Sequence, residues 1–283
     1  MSNYIKLTRP HQWIKNFFVF GALIFSHEFL NINNVFKVFV AFICFCLISS
    51  TVYVMNDIVD VNKDRMHPQK KNRPIASKKV SVNQAKVLFV ILLASSFVIS
   101  FIFNWKLSII VGLYFLNNIA YSFKLKNIVL LDVISIAVGF LLRIIAGGII
   151  INVTLSSWLL LCTLFISLFL GLEKRKGEIS SLKEDSSKHR KILDEYSIEM
   201  INDLSNIVCT GTIIFYALYT VLAYKNQYMV ITNIFVIYGV FRYKYLSETK
   251  GCGNPTEMIL TDKGILGISI LWAITCIIIL ITT

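Results

Sequence analysis

Between Asn56 and Lys79 the chain reads NDIVDVNKDRMHPQKKNRPIASKK, three carboxylates followed by a run of cations. On a helix at about 100° per residue, offsets of three and seven bring Asp57, Asp60 and Asp64 within about 60° of one another. Carboxylates held this close repel unless a cation sits among them, and hard oxygen donors suit Mg2+ carrying the phosphates of a substrate. Lys70, Lys71 and Arg73 supply the complement, Arg gripping phosphate oxygens with a planar fork and Lys acting as a point charge. The expected role of the segment is to anchor a metal–diphosphate complex. A solvated acidic end of a membrane helix accounts for its polarity but not for its spacing.

These groups must be positioned by an oily chain. Of 283 residues, 56% are hydrophobic and only 16% charged, with a mean hydropathy of +0.69, too apolar for a water-soluble domain of this length. The expected fold class is all-α, a polytopic membrane helical bundle of about nine transmembrane helices forming a single catalytic domain over residues 1–283. The apolar stretches are 17–30, 36–55, 85–103, 107–121, 129–150, 156–172, 201–224, 229–245 and 264–281. Those at 17–30 and 107–121 are short, which implies tilt or extension into their flanks. With the N-terminus cytoplasmic, every one of the 28 Lys and Arg except Lys37, Lys106, Lys225 and Arg143 falls on the inner side.

The net charge of +12 therefore describes one membrane face, suited to anionic headgroups and phosphorylated substrates, and nucleic acid is not an expected partner. Five of the six cysteines lie within spans and Cys252 in an inner loop, which argues against a disulfide framework. The first apolar stretch lacks a small-residue cleavage site, so its retention is expected. His11, His27, His67 and His189 are scattered, and the chain has no zinc spacing, P-loop, nucleophile elbow or HExxH motif.

Polar segments at 56–83, 122–128, 173–200 and 247–262 open on the same inner face and are expected to share one pocket. In TRPHQWIKN, Trp13 and Lys15 read equally as interfacial anchors or as ligands. Asp132 and Arg143 stand eleven residues, or about three turns, apart on the fifth span. Charges so deep imply a functional role, with an interhelical ion pair as the alternative. Gly139, Gly147 and Gly148 are expected to permit close helix packing. GLEKRKGE places Lys174 and Arg175 beside Glu173 and Glu178, and the mixed-charge run SSLKEDSSKHRKILDEYSIEM is expected to form a surface helix with Lys191 and Glu195 paired.

NDIVDVNKD followed by HPQKKNRPIAS resembles the NDxxDxxxD and PxKxxRPI signature of the UbiA-type intramembrane prenyltransferase superfamily. Within it, TRPHQWIKN, YSFKLK with LLDVISIAVGFLLRIIAGG, EKRKGE, and YGVFRYKYL before GCGNPTE resemble the decaprenyl-phosphate phosphoribosyltransferase branch. EKRKGE stands where aromatic prenyltransferases carry a second DxxxD motif, and Lys78 stands where the superfamily often has Gly.

The resemblance implies a UbiA-like fold and Mg2+-dependent transfer of 5-phosphoribose from phosphoribosyl diphosphate to a polyprenyl (decaprenyl-like) phosphate, with release of diphosphate. It implies catalytic, metal-holding roles for Asp57, Asp60 and Asp64. Substrate contacts are expected from Lys15, Asn16, Asn56, Lys70, Arg73, Tyr121, Lys124, Asp132, Arg143, Lys174 and Arg175. The implied partners are the two substrates and membrane lipids, with a homo-oligomer left open. The implied location is a bacterial inner membrane, with N-terminus and active site cytoplasmic. Two alternatives stand beside it: prenyl transfer from a prenyl diphosphate to an aromatic acceptor, and a transporter whose path Asp132 and Arg143 line.

Overall fold

Backbone inside a bilayer must satisfy its own hydrogen bonds, so apolar stretches of this length fold as helices. The computed structural model describes residues 3–67, 70–182, 191–224, 227–250 and 255–282, without the side chains of 181, 182, 191, 250, 255 and 256. Its helices are α1 (Asn3–Thr8), α2 (Gly21–Phe25), α3 (Ile32–Val59), α4 (Val61–Met66), α5 (Val82–Phe103), α6 (Trp105–Phe123), α7 (Leu131–Ile150), α8 (Ser157–Leu182), α9 (Ile198–Leu222), α10 (Asn233–Lys250), α11 (Pro255–Thr261) and α12 (Lys263–Thr282). Among the described residues, six helices are long and apolar enough to cross a membrane: α3, α5, α7, α8, α9 and α12.

The remaining apolar stretches take other forms. Residues 17–30 divide among a 3-10 helix at Pro10–Phe20, α2 and a 3-10 turn at Glu28–Leu30. Residues 107–121 lie in α6, a helix of 19 residues. Residues 229–245 divide between a 3-10 segment, Gln227–Thr232, and α10. Mean apolarity identifies these stretches, but Asn, Lys and Arg within or beside them limit the continuous apolar window that a span requires.

The chain forms two compact units, Met1–Phe123 with Leu142–Thr154, and Lys124–Leu141 with Leu155–Thr283. In the first, α3 buries Val38, Ala41, Phe45, Ile48 and Val52 along its length. Asn31 starts α3 by accepting from the amides of Asn33 and Asn34, and Ser81 with Gln84 closes a capping box on α5. Ser96 on α5 donates to the Cys44 carbonyl at 3.0 Å, tying α5 to α3. Leu7, Val54, Ile75, Val80, Ala85 and Leu92 form a core beneath the acid-rich turn.

The 3-10 helix Pro10–Phe20 turns once per three residues, so Trp13, Asn16 and Val19 share one face. The Trp13 indole donates to Ser50 Oγ at 3.0 Å. Asn16 and Val19 are fully buried. A Cβ at Gly147 of α7 would lie 2.0 Å from the Val19 carbonyl oxygen, so only glycine lets this face dock.

In the second unit α8 packs on α9 and α10 on α12, around a core that includes Phe169, Leu172, Ile192, Leu193, Tyr196, Ile201, Tyr243 and Ile265. Close approach again falls at glycine: a Cβ at Gly171 would meet Val133 at 2.7 Å, and one at Gly211 would meet Phe165 at 2.2 Å. Asp262 caps α12 by accepting from Ile265 N at 2.8 Å and takes both prongs of Arg242, at 2.6 and 3.0 Å.

The expected surface helix of 180–200 does not form as one element. Residues 183–190 lie outside the described ones, as does the Lys191 side chain of the expected Lys191–Glu195 pair. Lys191–Glu195 is a single 3-10 stretch whose Ile192 and Leu193 are buried, and Ser197 starts α9 by accepting from Met200 N. The apolar pair Ile192 and Leu193, with Tyr196, draws this segment onto the core rather than into solvent. The five described cysteines are free thiols, and Cys252 lies outside the described residues.

Candidate active site and buried charge networks

Asp57 lies in the last turn of α3, Asp60 is the residue between α3 and α4, and Asp64 lies on α4. The helical register nearly survives the break, because Asp60 N bonds to Asn56 O at 2.9 Å and Asp64 N to Asp60 O at 2.8 Å. Asp57 and Asp64 are both buried, each about 3% exposed. One guanidinium nitrogen joins them: Arg73 Nη1 donates to Asp57 Oδ1 at 3.1 Å and to Asp64 Oδ2 at 2.7 Å. The short 3-10 turn Lys70–Asn72 precedes Arg73 and brings it back over α4.

A second guanidinium reaches the same oxygen. Arg9 Nη2 donates to Asp57 Oδ1 at 2.5 Å, and its Cζ lies 4.9 Å from the centre of the Tyr53 ring. Tyr53 and Asp57 are four residues apart and so neighbour each other on α3. Asp60, Asn56 and Lys70 of the same segment are half-buried, as is Lys15 of TRPHQWIKN. Among the described residues no group of three or more His, Cys, Asp or Glu side chains is gathered closely enough to hold a metal ion alone. The structure thus brings Asp57 and Asp64 together through Arg73 and leaves Asp60 outside that pair.

Deeper in the first unit, Arg143 is 5% exposed. Its Nε donates to Asn16 Oδ1 at 2.8 Å and its Nη2 to Tyr114 OH at 2.9 Å. The guanidinium also faces the rings of Tyr114 and Phe45, at 4.7 and 5.8 Å, so aromatic faces help to compensate a cation taken out of water. Asn16 in turn donates to Ser49 Oγ at 3.3 Å.

In the second unit, Asp132 is fully buried and forms the interhelical ion pair that stood as the alternative to a functional role. Arg175 Nε donates to Asp132 Oδ2 at 2.6 Å, and the Tyr196 hydroxyl donates to Oδ1 at 2.7 Å. The Tyr196 oxygen accepts from Leu130 N at 2.7 Å, where Leu130 holds a left-handed φ of 68°. Burial, and the Asp132 carboxylate beside it, push the Tyr196 hydroxyl above the ordinary tyrosine range, which keeps it a donor. Arg175 also pairs with Glu178, and Lys174 pairs with Glu178 at 3.7 Å. Four alternating charges therefore run from fully buried Asp132 to Lys174, whose side chain is 40% exposed.

Glu173, also fully buried, accepts from the Ser205 and Ser247 hydroxyls and so ties α8 to α9 and α10. Lys124 is exposed and Tyr121 half-buried. The motif spacing singles out Asp57, Asp64, Arg73, Arg143, Asp132 and Arg175 but not Arg9, Tyr53, Tyr114 or Tyr196. A cue exists for Arg9 alone, since it sits in the same TRPHQWIKN stretch as Lys15 and Asn16.

The model of the UbiA prenyltransferase family matches residues 17–251. The chain is 33% identical over 280 residues to the decaprenyl-phosphate phosphoribosyltransferase of Mycolicibacterium smegmatis, covering 93% of this chain and 87% of that protein. It is 32% identical over 278 residues to the decaprenyl-phosphate phosphoribosyltransferase of Corynebacterium glutamicum, covering 95% and 83%. Its fold matches that of a UbiA homologue from Archaeoglobus fulgidus, solved bound to GPP and Mg2+, with a TM-score of 0.73, 18% identity and 100% of both chains covered.

Proposed function

Because the chain belongs to the UbiA prenyltransferase family, we propose that it transfers 5-phosphoribose from phosphoribosyl diphosphate to a polyprenyl phosphate, releasing diphosphate. The observation that carries this reading is the meeting of two buried carboxylates at one guanidinium nitrogen, in a chain one-third identical to named decaprenyl-phosphate phosphoribosyltransferases along most of its length. The family match runs through both compact units, which supports a single catalytic domain.

The donor set fits Mg2+. Asp57 and Asp64 offer hard oxygens that a single cationic nitrogen already bridges. An ion held by one or two carboxylates and completed by substrate phosphates is the usual Mg2+ arrangement, and it needs no third carboxylate in the pair. In this reading Asp57 and Asp64 hold the ion, with Asp60 and Asn56 beside them. Bound there, Mg2+ neutralises charge on the departing diphosphate.

Lys70 and Arg73 bind diphosphate oxygens and so stabilise the leaving group as the ribose C1 becomes oxocarbenium-like. The C1–diphosphate bond breaks, and an oxygen of the lipid phosphate forms the new bond to C1. That oxygen is already anionic near neutral pH, so no side chain needs to act as general base. Lys15, Asn16, Tyr121 and Arg143, all on the first unit, are assigned to the remaining anionic groups. Asp132 and Arg175 act on each other as a positioning pair. The site is assigned to the cytoplasmic face of a bacterial inner membrane, supported by the one-sided placement of Lys and Arg.

The test is a transfer assay in liposomes with Mg2+, radiolabelled phosphoribosyl diphosphate and polyprenyl phosphate, run with and without chelator and beside Asp57→Asn. Chelator-sensitive, Asp57-dependent label in the lipid fraction is the expected result. Folded protein that leaves the lipid unlabelled overturns the assignment.

A further inference from the structure

Asp57 Oδ1 is claimed by two guanidinia at once, Arg73 at 3.1 Å and Arg9 at 2.5 Å. The two are not equivalent. Arg73 bridges both carboxylates, whereas Arg9 bonds to Asp57 and at the same time lies over the Tyr53 ring. Arg9 is also held in a backbone conformation that its sequence opposes. Its φ of 49° and ψ of 62° are left-handed, yet it precedes Pro10, and a residue before proline is driven to extended conformations. Strain of this kind persists where the surroundings fix it, and it gathers at functional sites. The Arg9 side chain keeps 23% of its surface exposed beside a carboxylate that keeps 3%. It therefore has a way out that the carboxylate lacks.

One carboxylate oxygen cannot give its full charge to a guanidinium and to a divalent ion together. Resting on the function proposed above, we infer that Arg9 is an exchangeable counter-ion of the donor site. It holds Asp57 until the metal–diphosphate complex arrives, then gives up the carboxylate and turns its fork to a phosphate oxygen of the donor. Arg9 is then a competitor of the metal by itself and an ally of the metal when donor is present. Coupling of this sort between two ligands typically amounts to about 5- to 150-fold.

Mn2+ binding to the purified full-length protein, read by electron paramagnetic resonance without donor, isolates the first half of the exchange. Arg9→Gln is expected to bind Mn2+ at least about fivefold more tightly than the natural protein, with Arg9→Lys between them because an ammonium lacks the fork. In steady-state transfer, Arg9→Gln is expected to raise the KM for phosphoribosyl diphosphate by roughly tenfold, the weight of one charge-assisted hydrogen bond, and to leave the KM for polyprenyl phosphate unmoved. Mn2+ affinity that is unchanged or weaker in both Arg9 variants overturns the exchange and makes Arg9 a structural counter-ion. Asp57→Asn serves as the control: if it binds Mn2+ as the natural protein does, the metal assignment and the exchange fall together. Loss of Mn2+ in Asp57→Asn with no effect of the Arg9 variants removes the exchange alone.

Discussion

Replacing Arg175 by Met should be far more damaging than replacing Asp132 and Arg175 together. Arg175 is 1% exposed and Asp132 is not exposed at all, so neither charge has water to fall back on. Without Arg175 the Asp132 carboxylate keeps only the Tyr196 hydroxyl, and Glu178 loses its buried partner. Breaking a buried pair from one side typically costs about 3–5 kcal/mol, because an uncompensated charge remains. That is a loss of about two to three and a half powers of ten in the folded-to-unfolded ratio. Asp132→Leu should cost less than Arg175→Met, since Arg175 then still has Glu178. The double variant Asp132→Leu/Arg175→Met removes both charges and fills the space with apolar atoms, so it should recover most of the loss, leaving about 1–2 kcal/mol from Glu178 and from the orphaned Tyr196. Unfolding midpoints of the four proteins in one detergent give the cycle directly. If the two single losses simply add in the double variant, or if Arg175→Met unfolds with the natural protein, the buried-pair reasoning is wrong.

Other sites give sharper local tests. Gly147→Ala puts a methyl 2.0 Å from the Val19 carbonyl oxygen, so it should lower the thermal midpoint by the equivalent of about 1–3 kcal/mol or prevent folding, whereas Gly267→Ala, which meets nothing within 4 Å, should not. Lys78 holds a φ of 61°, and Lys78→Gly should be neutral to stabilising by up to about 1 kcal/mol in the same melt, while Lys78→Val should destabilise. The Arg242 fork and the Ile265 amide hold the Asp262 carboxyl down to about 2, from an ordinary value of 3.8. A depressed carboxyl stabilises above its unfolded value and loses that effect as pH falls through its folded one. The gap in melting point between the natural protein and Asp262→Asn should therefore be constant above about pH 5 and close between about pH 4 and 2.

The acid-rich turn was legible because its information is local: Asp57, Asp64 and Arg73 lie within 17 residues of chain, and helical periodicity brings the acids to one side. Arg9 is 48 residues from Asp57, and it arrives through a left-handed backbone angle that no composition or period encodes. At Asp132 the type of contact was legible but not the partner. The fifth span marks Asp132 and Arg143 as buried charges and leaves an interhelical ion pair open, but it does not say that the carboxylate goes to Arg175, 43 residues away, or that Arg143 goes to Asn16, 127 residues away. Charge spacing on one helix says which groups share a face, not which neighbouring helix supplies the partner. The all-helical class follows from apolarity alone. The count of spans does not, since 17–30 is apolar enough but winds largely as a 3-10 helix and a short α-helix.

That winding constrains length as well as composition. A helix with three residues per turn advances by about 120° for each residue, so Trp13, Asn16 and Val19 stay in line only while the segment keeps its count. Inserting one residue between Arg9 and Trp13 would leave these three in line but turn Arg9 by about 120° relative to them, away from Asp57, though no contacting residue had changed. Inserting three would return Arg9 to the same side. Natural relatives that differ in length here should differ by multiples of three, and a designer moving Arg9 relative to Asp57 has whole turns, not single residues, as the available step.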